Sequence, residues 1–91
     1  MAKKVTFTVT DPVGLYATPA TELVDVMKIF SSDITLTYES KTVNMKSLMG
    51  VLSLGIPSKA VIEIIADGVD EDAAIEKAIA TVKELGISTM E

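Results

Sequence analysis

Polar and apolar residues alternate in two stretches of the chain, which predicts two β-strands with one buried face each, and residues 60–66 are predicted to form the last strand. The inward-facing residues of these strands are Val5, Phe7 and Val9, then Ile34, Leu36 and Tyr38, and then Ile62, Ile64 and Ala66. A fourth, shorter strand is predicted around Thr42-Val43, after a turn at Glu39-Ser40.

Two longer stretches repeat apolar residues at the spacing of a helix with one buried side. The two stripes are Ala20, Leu23, Val24, Met27 and Phe30, and Ile75, Ala78, Ile79, Val82 and Leu85. Thr18 before Pro19 predicts the N-cap and first turn of the first of these helices, and Ser31-Ser32-Asp33 its end. Asp70 is the predicted N-cap of the last helix, and Gly86 is the glycine that ends it.

A short helix is predicted to begin near Ser47 and to stop by Gly55-Ile56-Pro57. Its residues are apolar nearly all round: Leu48, Met49, Val51, Leu52 and Leu54. Because a helix on a single core needs only one apolar face, we expect some of these side chains to point at solvent.

The elements follow the order βαββαβα, which predicts an α/β (α+β) two-layer open-faced sandwich with helices on one face of a four-stranded sheet. Residues 1–91 form a single predicted domain, because no linker or composition shift divides them. Only Ser88 to Glu91 is expected to fray.

The charge balance and the missing residue types exclude several kinds of site. Eight basic against 13 acidic residues give a net charge of −5, which disfavours direct binding to nucleic acid or to an anionic membrane. No apolar run approaches the roughly 18 residues of a membrane helix, and the N-terminus has no leader pattern, so we expect a cytoplasmic protein. The chain has neither cysteine nor histidine, so we expect no disulfide, no metal site and no cofactor.

Two segments carry a resemblance to a known family. Gly14-Leu15-Tyr16-Ala17-Thr18-Pro19-Ala20 and Asn44-Met45-Lys46-Ser47-Leu48-Met49-Gly50 resemble HPr, the histidine-containing phosphocarrier of the bacterial sugar phosphotransferase system. The resemblance spans essentially the whole chain, and it implies an antiparallel sheet ordered 1-4-2-3.

The first segment departs from the family at two positions that carry its chemistry. The family reads Gly-Leu-His-Ala-Arg-Pro-Ala there, with the histidine as phosphoryl carrier, whereas this chain has Tyr16 and Thr18 in place of the histidine and the arginine. A phenol is protonated at neutral pH, and its phosphate ester is too stable to relay the group. Tyr16 is therefore read as a loop aromatic over the first helix or as an anchor for a partner, and Thr18 as a helix cap that also lies where the family contacts its partners.

The second segment keeps Ser47, which a dedicated regulatory kinase phosphorylates in many family members from Gram-positive bacteria. Ser47 is also a predicted N-cap, and the two roles are compatible. By the same resemblance Leu48, Met49 and Leu52 form an exposed docking patch, while Val51 and Leu54 face the core.

These features predict a regulatory protein rather than an enzyme, similar to the histidine-lacking catabolite repression paralogues of HPr. The implied partners are HPr kinase/phosphorylase, a LacI-type catabolite regulator and phosphotransferase-system proteins. One alternative is a phosphocarrier whose histidine was replaced, naturally or by design, leaving an inactive carrier. Another is a small-molecule-binding module with a ferredoxin-like sheet, which lacks support because the chain has no glycine-rich phosphate cradle or paired carboxylates.

Overall fold

The computed structural model describes residues 2–88, and its elements follow the expected order βαββαβα. The strands are β1 (Ala2–Thr8), β2 (Asp33–Tyr38), β3 (Lys41–Asn44) and β4 (Val61–Asp67). The helices are α1 (Ala17–Met27), α2 (Leu48–Ser53) and α3 (Glu71–Glu84).

The four strands form one antiparallel sheet in the order β1-β4-β2-β3, which confirms the order implied by the resemblance. Glu39 and Ser40 join β2 to β3 with φ values of 48° and 69°. Two consecutive residues with positive φ are typical of the tight hairpin turn whose twist matches the strands that it connects.

The helices cover one face of this sheet, and the core lies between the two layers. The inward faces of β2 and β4 are completely buried at Leu36 and Ile64, and the α1 stripe is completely buried at Leu23 and Met27. The other face of the sheet includes Thr6 and Glu63, whose side chains are hydrogen-bonded to each other at 3.4 Å, and the exposed Val61. The predicted two-layer open-faced sandwich is confirmed.

The start of α1 differs from the prediction. The helix begins at Ala17 with Tyr16 at the N-cap position, so Thr18 lies exposed in the first turn and is not the cap. The reason is an upstream contact, because the buried Leu15 donates its N–H to the Ile56 carbonyl at 3.0 Å and fixes where the chain enters the helix. Pro19 still costs no helical hydrogen bond, because first-turn N–H groups have no partner within the helix.

The helix also ends earlier than its apolar stripe suggests. The last helical residue is Met27, and the N–H groups of Ile29 and Phe30 bond the carbonyls three residues before them, each at 3.3 Å. Such bonds are typical of a tightening last turn. Phe30 therefore packs against the core from a loop, and Asp33 belongs to β2 instead of ending the helix.

Asp70 occupies the N-cap position of α3 as predicted, yet its carboxylate makes no capping bond. It instead accepts the N–H groups of Ser31 at 2.8 Å and Ser32 at 2.9 Å, together with both hydroxyls. The Ser32 hydroxyl first, and then the Ser31 N–H, lower the pKa of Asp70 to about 2. This contact joins the loop after α1 to the start of α3.

The end of the chain is docked as far as it is described. Gly86 follows α3 with φ of 73°, as predicted for the residue that ends the helix, and the Ile87 carbonyl accepts the N–H of Thr10 at 2.8 Å. The expectation that Ser88 begins a frayed tail is wrong, because its side chain is buried beside this contact, and residues 89–91 lie outside the described part. Within residues 2–88, none of the helices is both long and apolar enough to span a membrane.

Candidate functional site

Helices α1 and α2 lie side by side and run in opposite directions. At one end, Leu15 before α1 bonds the Ile56 carbonyl after α2, and at the other end the Lys46 ammonium donates to the Phe30 carbonyl at 2.7 Å. Tyr16 therefore lies near the end of α2, whereas Ser47 lies near the end of α1. The two sites therefore lie at opposite ends of this helix pair.

The turn that carries Tyr16 has little steric freedom. Gly14 has φ of +89°, and a Cβ there would stand 2.4 Å from the Ile56 carbonyl oxygen, so this position requires glycine. The close approach holds Leu15 in the core and leaves the Tyr16 side chain 43% exposed at the start of α1.

The chemistry available at this end of α1 is limited. The Tyr16 carbonyl accepts the Ala20 N–H at 3.0 Å, and the first turn, Ala17-Thr18-Pro19-Ala20, carries no charged side chain. The site thus presents an aromatic ring, two hydroxyl groups and a helix end, but neither an imidazole nor a cation.

Ser47 is the N-cap of α2, as predicted. Its hydroxyl oxygen accepts the Gly50 N–H at 3.2 Å, and its own N–H donates to the Asn44 carbonyl at 3.0 Å. The Asn44 side chain in turn accepts the Lys46 N–H at 2.9 Å, so the turn before the helix is held by its own residues. The Ser47 hydroxyl is half-buried and keeps a proton to donate.

The apolar residues of α2 divide between the core and the surface. Val51 and Leu54 are buried at 2% and 9% exposure, as expected, whereas Met49 is 79% exposed. The residues of the predicted docking patch are Leu48, Met49 and Leu52, and of these only Met49 is exposed, because Leu48 and Leu52 are half-buried against the core.

Gly50 and Lys46 also contribute to this part of the molecule, although the sequence patterns assign them no role. Gly50 interrupts an otherwise apolar helix next to Ser47, and a glycine within so short a helix was the available signal. The contact of Lys46 with Phe30 joins residues that are 16 positions apart, and no spacing rule predicts it.

The described residues contain no group of three or more acidic side chains arranged to hold a metal ion, and histidine and cysteine are absent from the whole sequence. A shallow cavity of about 360 Å³ lies beside β2 and β3 and includes Asp33, Thr42 and Asn44. It is separate from Tyr16 and from the docking patch.

Known families and structures match this arrangement. A family model described as "PTS HPr component phosphorylation site" matches residues 3–84. The histidine-containing phosphocarrier protein of Mycoplasma is 37% identical, with 94% of this chain and 98% of that chain covered and a TM-score of 0.93. HPr from Bacillus anthracis is 35% identical, with coverage of 88% and 95% and a TM-score of 0.81. Crh, the Bacillus subtilis catabolite repression HPr, is 34% identical, with coverage of 90% and 95% and a TM-score of 0.66. Because the match extends from the first strand to the end of α3, this chain belongs to the HPr family of phosphocarrier proteins, and it also resembles the Crh branch.

Proposed function

We propose that this protein is a regulatory member of the HPr family that does not relay phosphoryl groups and is switched by phosphorylation of Ser47. The observation that carries the proposal is the contrast between its two sites. Tyr16 offers no nitrogen nucleophile at the start of α1, whereas Ser47 holds a hydroxyl beside the exposed Met49. The kinase would be an HPr kinase/phosphorylase in the cytoplasm.

The phosphate would act on the surface of the protein and not on its fold. It adds a charge of about −1.5 to −2 next to N–H groups at the start of α2, where negative charge is favourable. Ser47 is already the N-cap in the unmodified protein, so no new helix has to form. The modified serine and the docking patch would together make the surface that a partner recognises.

The partner in this proposal is a LacI-type transcription regulator in carbon catabolite repression. Met49 would be its main apolar contact, with Leu48 and Leu52 beneath it, while Tyr16 and Thr18 would contribute at the other end of the helix pair. The similarity to Crh, the catabolite repression HPr of Bacillus subtilis, supports this partner class. The protein would affect transcription through the regulator without touching DNA.

The proposal is tested by incubation with an HPr kinase and ATP, followed by intact mass and peptide mapping. We expect one phosphate, located at Ser47. Ser47→Asn is the informative variant, because asparagine is also a good N-cap but has no hydroxyl, so it should stay folded and unmodified. Ser53→Ala in the same helix should be phosphorylated like the wild type, and an unmodified Ser47 in the folded wild type would contradict the proposal.

A second candidate is an inactive carrier that still docks onto phosphotransferase-system proteins. It is favoured by the intact geometry at Gly14 and Leu15, which holds the start of α1 against the Ile56 carbonyl. This candidate predicts competition with an ordinary HPr for the general phosphotransferase enzyme and no modification at Ser47. Pull-down and kinase assays on the same preparation separate the two.

A further inference from the structure

The backbone of α2 does not require a glycine at position 50. Gly50 is the third residue of the helix, and its φ is not in the left-handed region that favours glycine. A Cβ there would meet the Ser47 Oγ at 3.4 Å and the Cβ atoms of Ser47 and Val43 at 3.5 Å, which are ordinary contacts. Alanine would therefore fit the unmodified protein, and it is the better helix former.

The space that an alanine methyl group would fill lies against the hydroxyl oxygen of Ser47. That oxygen already accepts the Gly50 N–H at 3.2 Å. A phosphoryl group adds three oxygens beyond it, so a methyl group in contact with the Oγ itself would take up one of the directions in which the phosphate can lie. From this clearance we propose that Gly50 is a positioning residue, whose missing side chain makes room for phosphoserine at position 47.

Residue 50 has little freedom to move aside. The Ser53 hydroxyl donates to the Gly50 carbonyl at 2.6 Å, and the Gly50 N–H is bonded on its other side to Ser47. Val43 on β3 closes the space next to it. A methyl group at this position would therefore crowd the phosphate and would not be relieved by a shift of the backbone.

This inference rests on the proposed modification of Ser47, and its test is designed to work without the kinase. Phosphoserine is inserted at position 47 during translation, both in the wild type and in Gly50→Ala. The melting temperatures of these two proteins are compared with those of the two unmodified proteins. The effect of alanine on the helix itself cancels, because the variant is measured with and without phosphate. We expect Gly50→Ala to melt at or above the wild type when unmodified and several degrees below it when phosphorylated.

A kinase assay on the same variant gives the second readout. We expect kcat/KM for phosphorylation of Gly50→Ala to fall by about tenfold or more, because the product geometry is crowded. The inference would be overturned if the phosphate changed the melting temperature of Gly50→Ala and of the wild type by the same amount. It would also be overturned if unmodified Gly50→Ala lost as much stability as the phosphorylated variant. If the kinase ignored the wild type, the proposed function would fail, while the melting comparison would still report on Gly50.

Discussion

At the start of α1, Tyr16 and Thr18 are the residues that the resemblance places at the family's nucleophile and cation positions. A histidine and an arginine can be restored at these two positions, and phosphoryl transfer from phosphoenolpyruvate by the general phosphotransferase enzyme can then be measured. The present chain should stay unlabelled, and Tyr16→His alone should be labelled weakly, because no cation faces the dianion. The double variant with Thr18→Arg should be labelled faster, since an arginine binds a phosphate through paired, charge-assisted hydrogen bonds.

Acid lability of the label is the control, because a phosphohistidine hydrolyses in acid whereas serine and tyrosine esters survive. Acid-labile phosphate on the unaltered chain would contradict the assignment of Tyr16. If the single variant reached the rate of the double variant, the effect ascribed to the missing arginine would be wrong.

Asp70 gives a prediction for acid unfolding. Its pKa of about 2 lies below the value of about 3.9 for an unfolded chain, so the unfolded state binds more protons between these two values. The stability contributed by this carboxylate is complete above about pH 4 and is lost as the pH falls through 2. Urea titrations across this range should show a shallower pH dependence for Asp70→Asn than for the wild type.

Ser32→Ala is the matched variant, since it keeps the Asp70 carboxylate and removes a hydroxyl that donates to it. Its pH dependence should lie between those of the wild type and Asp70→Asn. An unchanged slope in Asp70→Asn would mean that the contacts with Ser31 and Ser32 do not favour the charged form.

Among the helices, α2 contains both exposed and buried apolar side chains within six residues. A buried side chain of α1 serves as the comparison for its exposed Met49. Met49→Ala should change the free energy of unfolding by less than about 0.5 kcal/mol, because the side chain is 79% exposed. Leu23→Ala should cost about 2–5 kcal/mol, because Leu23 is completely buried. Met49→Ala should nevertheless weaken binding of the kinase and of the regulator, measured by titration calorimetry with the phosphorylated and unmodified forms.

A large loss of stability in Met49→Ala would place this side chain in the core, and unchanged binding would remove it from the docking patch. Ile29→Ala is the control for removing an exposed apolar side chain, because Ile29 is 72% exposed in the loop after α1.

Element types and the Ser47 cap could be predicted from the sequence, because periodicity and capping are local properties. The start of α1 could not, because the bond from Leu15 to Ile56 depends on a residue 41 positions away and overrides the capping preference of Thr18. The N-cap position of Asp70 could be predicted, but the partners of its carboxylate, Ser31 and Ser32, lie in another loop and could not. The sheet order followed from the resemblance alone, since periodicity does not specify which strands pair.

For the molecule as a whole, we predict one cooperative unfolding transition for residues 2–88. Helix α3 packs on β1 and β4, and α1 packs against both other helices, so no element has a core of its own. Far-UV circular dichroism follows the helices, and tyrosine fluorescence follows the surroundings of residues such as Tyr38 in β2. The urea unfolding curves from these two probes should coincide. Separate midpoints would contradict a single domain.

Under the proposed function, the position of Ser47 beside the exposed Met49 would also affect how long a phosphate on Ser47 persists. A partner footprint of about 800 Å² is roughly 30 Å across, so a partner that contacts the exposed Met49 would also reach Ser47 two positions away. A bound regulator would therefore cover Ser47 and exclude the enzyme that removes its phosphate. The lifetime of the modified protein would then depend on the concentration of free regulator, and each occupied complex would store the signal until it dissociates.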